Sequence, residues 1–130
     1  MKLMVCYDGS NIANDAIDTA VKLGKQLEGS VSLVRTMSAK RSEDVVRVEG
    51  IEADLESARK RVADTGLAVD AHLLIRGGSA GEDLTAFAKE NDVEYIVIGI
   101  KRRSKVGKMF FGSTAQYVIL KAVCPVITVK

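Results

Sequence analysis

Five basic residues and three glycines crowd into one short segment, GIKRRSKVGKMFFGST, running from Gly99 to Thr114. Gly99, Gly107 and Gly112 permit backbone turns and close approaches that a side chain would forbid. Gly112-Ser113-Thr114 stands at the head of an apolar pattern of helical period. Unpaired N–H groups and the positive end of a helix dipole are therefore predicted there. The two hydroxyls add donors, and Lys101, Arg102, Arg103, Lys105 and Lys108 add positive charge. Together these describe an anion site, and phosphate is the anion they suit best. A Walker A loop does not fit, because Arg102 replaces its first glycine and Met109 its terminal hydroxyl residue. The G-x-G-x-x-G dinucleotide turn does not fit either, since its place after the first strand is taken by Asp8-Gly9-Ser10-Asn11. Taken alone, the basic run equally describes a solvated loop. Met109, Phe110 and Phe111 are either a lid or partner contact, or an anchor against the sheet.

The second candidate is Asp8, which follows a strand-like KLMVCY run. It either caps the next helix, closes an Asx turn, or serves a ligand. A catalytic centre is not expected. His72, the one histidine, falls in a strand without a Cys, Asp or Glu at metal-ligand spacing. Cys6 and Cys124 sit in or beside apolar runs, so no nucleophile–base pair is visible. Both cysteines read as small buried hydrophobes of a reducing, cytoplasmic protein, and a disulfide between them is not expected.

The elements that must position these residues follow from periodicity. The chain has 130 residues, 47% hydrophobic and 28% charged, with net charge +2. That suits one soluble domain, 1–130, and leaves any polyanion binding to local clustering. No run is long enough to span a membrane and no signal peptide is recognisable. Strands are predicted at Lys2–Tyr7, Val31–Thr36, Val69–Ile75, Tyr95–Gly99 and Val126–Val129. Between them lie helical stripes: Ala13, Ala16, Ile17, Ala20, Leu23 and Leu27, ended by Gly29; then Val48, Ile51, Leu55, Ala58 and Val62. Leu84, Phe87 and Ala88 follow a Ser79/Glu82 capping box, and Ala115, Val118, Ile119 and Ala122 form the last stripe. The alternation predicts an α/β fold: a single-domain, doubly wound, five-stranded parallel sheet, Rossmann-like, of order 3-2-1-4-5, with helices on both faces. Strands one and four are then neighbours, and the Asp8 and Gly99–Thr114 loops face each other across one crevice. Val126–Val129 becomes an apolar edge strand, open to pairing with a second copy.

These residues resemble the universal stress protein family, over essentially the whole chain. The carriers are VCYDGS at the first strand, the final CPVITV, and the family's Gly-x-x-Gly, nine residues, then Gly-Ser pattern. Here that pattern begins at Gly99 and closes at Gly112-Ser113. The resemblance implies an ATP-binding regulatory protein of the stress response, with Mg²⁺ as a companion of the nucleotide, and a homodimer joined through Val126–Val129. It implies nucleotide contacts from Asp8, Gly9, Thr36, Gly99, Arg102, Gly112, Ser113 and Thr114. Asp8 would serve the ribose or a divalent cation, and Thr36 the adenine. The chain departs from the pattern at Arg102, which replaces the second glycine. Its guanidinium either clamps phosphate bidentately or fills the nucleotide's space. Arg35 stands where the family often has His. The alternatives are a nucleotide-free protein-interaction module and a slow ATP hydrolase. Nucleic acid is not an expected partner, because no aromatics interleave the basic run.

Overall fold

Alternation along β1 (Lys2–Cys6) sets the layering of the molecule. Leu3, Val5 and Tyr7 belong to one buried cluster, whereas Met4 and Cys6 belong to another. Successive strand side chains point to opposite faces, so the sheet carries a core on each side. The computed structural model describes residues 1–38, 44–100 and 112–130. Along it run α1 (Asn11–Gln26), β2 (Ser30–Thr36), α2 (Asp44–Ala63), β3 (Val69–Leu74), α3 (Ala80–Glu90), β4 (Tyr95–Gly99), α4 (Ser113–Lys121) and β5 (Val126–Val129). The sheet order is β3-β2-β1-β4-β5 with every pairing parallel, as the alternation predicts.

The first core takes Ala13, Ala16, Ile17 and Ala20 from α1 and Leu55, Ala58 and Val62 from α2. The second takes Leu84, Phe87 and Ala88 from α3 and Ala115 and Val118 from α4. Two helices therefore cover each face. Right-handed crossovers of this arrangement reverse the winding between β1 and β4 and open a crevice at their carboxyl ends. β3 and β5 are the edges, and β5 is half-buried, with Ile127 and Val129 packed against the first core.

Several local expectations are corrected. Leu27 is 44% exposed, because α1 ends at Gln26 and Leu27 is its C-cap, past the last buried position at Gly24. After α1 the left-handed residue is Glu28, at φ 53°, not Gly29. Gly29 is needed for another reason: a Cβ there would lie 2.6 Å from the Met1 carbonyl oxygen. Ile75 lies beyond β3 and is 46% exposed, and Ile119 faces outward on α4. Ser79 caps α3 by accepting from the Glu82 N–H at 3.2 Å. His72 does have an acidic partner, Asp70, with Nε2 3.2 Å from Oδ1. The two-residue strand period puts both on one face, where the His72 ring also meets Phe87 at 4.9 Å.

Cys6 and Cys124 are unbridged. No helix among the described residues is long and apolar enough to cross a membrane.

Candidate functional site

The site begins where the β1 ladder stops. The Tyr7 N–H still bonds the Val34 carbonyl at 2.9 Å, and Asp8 is the first residue past it. Asp8 Oδ1 accepts from the Ser10 N–H at 3.0 Å and from the Ser10 hydroxyl at 2.5 Å. This is an Asx turn, so of the local readings of Asp8 the turn is the one observed. Ser10 is the helix cap, its Oγ accepting from the Ala13 N–H at 3.2 Å. Gly9 completes the turn at φ 83°, a conformation side chains resist.

β4 delivers the opposing wall. Gly99 ends that strand beneath α1, where a Cβ would meet Ile12 Cγ1 at 2.8 Å and the Ile12 carbonyl at 3.0 Å. The glycine is thus required by the packing of the protein on itself. Gly112 then caps α4 with extended geometry and offers no side-chain bond to the first turn. α1 and α3 have serine caps, whereas the first N–H groups of α4 have none, and Ser113 and Thr114 begin that helix.

These pieces enclose one cavity of about 320 Å³ at the carboxyl ends of β1 and β4. Asp8, Thr36, Gly99, Gly112, Ser113 and Thr114 all line it. Gly9 does not: its missing Cβ is turned toward Arg35 and Asp54. Arg102 lies outside the described residues, as do Lys101, Arg103, Lys105, Lys108, Met109, Phe110 and Phe111. Apolar groups supply the rest of the wall, notably Val34, Ile98 and Ile100 from strand ends and Ala80 and Leu84 from α3. Sequence reasoning missed the α3 contribution, although Ala80 and Leu84 stand one helical turn apart directly after the Ser79 cap.

Electrostatically the cavity is mixed. The amino-terminal turns of α1, α3 and α4 all reach it and present the positive ends of their dipoles. Asp8 is the carboxylate of the lining among the described residues. Cys6 forms part of the floor, and its thiol is pushed up to about 12, first by burial, then by the Asp8 charge and Cys124. It is an inert wall rather than a nucleophile. Among the described residues no three His, Cys, Asp or Glu side chains gather as a metal site.

Beside the cavity, and joined to it by Tyr7, which lines it, lies a polar cluster that the sequence does not announce. Tyr7 Oη donates to Asp54 Oδ2 at 3.2 Å, and Arg35 Nη1 lies 3.2 Å from the same oxygen. The guanidinium carbon is 6.0 Å from the Tyr7 ring centroid. Burial raises the Tyr7 phenol above its ordinary value. Asp54 raises it further by charge and hydrogen bond, while Arg61 and Arg35 oppose this.

Comparison with known proteins agrees with this architecture. The family model for the universal stress protein family matches residues 1–130. The universal stress protein YxiE of Bacillus subtilis is 28% identical over 99% of this chain and 98% of its own. A structure of a universal stress protein from Archaeoglobus fulgidus superposes with TM-score 0.88 at 34% identity, covering 100% of this chain and 98% of that one. A structure from the same organism, described as a complex with dAMP, gives TM-score 0.81 at 30% identity, with the same coverage of 100% and 98%. The chain belongs to the universal stress protein family.

Proposed function

We propose that this protein is a nucleotide-binding regulator that holds an adenine nucleotide, ATP in the first instance, in the crevice between β1 and β4. The observation that carries the reading is the shared cavity. Six residues singled out for nucleotide contact, from four separate parts of the chain, line one space of about 320 Å³. That volume lies within the ordinary range for small-molecule sites. The dAMP complex of the Archaeoglobus fulgidus relative supports an adenine nucleotide as the ligand.

The division of labour follows from chemistry. The uncapped N–H groups of α4 and the Ser113 and Thr114 hydroxyls receive phosphate oxygens. Thr36 and the apolar strand ends receive the base. Asp8 cannot face phosphate directly without repulsion, so it serves the ribose hydroxyls or a cation that accompanies the phosphates. A carboxylate plus phosphate oxygens is a donor set that suits Mg²⁺, which keeps most of its water. The ion would enter as the nucleotide's companion and neutralise its charge. Gly9 supports the site through the turn, and Arg102 would add charge from the segment preceding α4. Among the described residues the lining offers no activated nucleophile, and regulation rather than turnover is the role proposed. We further propose that β5 pairs with its counterpart in a homodimer.

Thermal denaturation against ATP with Mg²⁺ tests the reading. A ligand that binds the folded state raises the melting temperature progressively; at 100 times Kd the gain is about 2.7 kcal/mol. Absence of any shift at millimolar ATP overturns the reading in favour of the nucleotide-free interaction module. Sedimentation equilibrium tests the dimer, and a monomer mass at micromolar concentration refutes it.

A further inference from the structure

Asp8 is flanked by two residues that touch the same polar pair. On one side, Tyr7 donates to Asp54 Oδ2 at 3.2 Å. On the other, the Cβ position of Gly9 is 3.0 Å from Arg35 Nη1 and 3.4 Å from Asp54 Oδ2. Arg35 itself reaches Asp54 Oδ2 at 3.2 Å. One carboxylate oxygen from α2 and one guanidinium from β2 therefore bracket the backbone that presents Asp8.

We propose that the Arg35–Asp54 pair is a positioning device for Asp8, through which α2 sets the affinity of the crevice for nucleotide. The inference rests on the nucleotide reading above. Neither member of the pair lines the cavity. Strand alternation directs Arg35 to the face opposite Thr36, so it acts through the turn and not on the ligand. The pair is also a poor candidate for a mainly stabilising role. The Asp54 side chain is 50% exposed, and ion pairs that open to solvent contribute little to folding. What the pair does restrict is the turn. Gly9 at φ 83° has no side chain of its own to pack, and the guanidinium occupies that space. Small displacements of a group that must meet a ligand weaken its contacts steeply.

A double-mutant cycle tests this, with ATP–Mg²⁺ affinity read by calorimetry on the full chain. The four proteins are the unmutated chain, Asp54→Ala, Asp8→Asn and the double variant. Asp54→Ala is expected to weaken ATP about tenfold in the unmutated background and less than about twofold in the Asp8→Asn background. Arg35→Ala is expected to repeat that pattern. Asp54→Asn keeps the shape and an acceptor for Tyr7. It gives a smaller loss with the same dependence on Asp8, so the test survives a poorly folded alanine variant. Equal losses in both backgrounds, or no loss in either, overturn the positioning role while leaving nucleotide binding intact. An unmutated protein that does not bind ATP overturns the nucleotide reading, and this inference with it.

Discussion

A single methyl group added to Gly99 separates two explanations for that glycine. The family pattern ties it to close approach of a nucleotide, whereas its surroundings tie it to α1. An alanine Cβ would lie 2.8 Å from Ile12 Cγ1, 3.0 Å from Ile12 Cγ2 and 3.0 Å from the Ile12 carbonyl oxygen. The two carbons yield by rotation of the side chain. The carbonyl belongs to the first turn of α1 and yields only if the helix moves. Overpacking of this kind costs about 1–3 kcal/mol. For a 130-residue chain the entropy of unfolding is about 0.27 kcal/mol/K, so a loss of ~2 kcal/mol lowers the melting temperature by ~7 °C. The assay is calorimetric melting of Gly99→Ala without ligand, alongside Ile12→Ala and the double variant. Ile12→Ala removes both crowded carbons, so the double variant should lose less than the two single losses added, by about 1 kcal/mol. It should not recover fully, since the carbonyl contact persists. A ligand-free Gly99→Ala protein that melts within about 1 °C of the unmutated chain refutes the packing argument.

Glu28→Gly should stabilise the protein by about 0.5–1 kcal/mol, relieving a left-handed residue at φ 53° against the greater freedom of glycine in the unfolded chain. Its melting temperature should rise by about 2–4 °C, and a fall would show that Glu28 makes a compensating contact. Alkaline pH should unfold the chain through Cys6. The folded state holds its thiol proton up to about 12 against 9.0 in the free group. Stability is therefore complete below about pH 9 and falls as pH rises toward 12, with the raised Tyr7 phenol acting in the same direction. Urea denaturation between about pH 8 and pH 11 should show this decline, and Cys6→Ala should flatten it; an equally steep decline in the variant disproves the assignment.

The element order and strand order were legible because each depends on patterns of a few residues. YIVIG reads as a buried strand and VITV as an apolar edge strand, and alternation with helices leaves few topologies. The crevice followed from the order, which is why residues as distant as Asp8 and Ser113 could be placed together from the sequence. What escaped were contacts set by how helices lie across strands. Arg35 and Asp54 are 19 residues apart, and Asp54 and Tyr7 are 47 apart. Nothing local says that α2 passes close enough to the β1–α1 turn for one carboxylate to reach both. Gly99 stands out in the sequence, but its crowding by Ile12 depends on the height of α1 above β4. Leu27 failed for a simpler reason: the apolar period runs on to it, but α1 ends one residue earlier and leaves it as the exposed C-cap. The Asp70–His72 contact needs only a neighbour two residues away on the same strand face, a spacing that ligand motifs do not single out.

Asp8 and Ser113, on opposite walls of the cavity, stand near the two ends of the chain. No ligand can be held there until β4 has docked beside β1 and α4 has started. Any molecule bridging Asp8 and Ser113 therefore behaves as a reversible tether, closing a loop of about a hundred residues. Its grip should be felt beyond the residues it touches. Amide exchange should slow along β1, β4 and α4 together, because none of them can open while the tether holds.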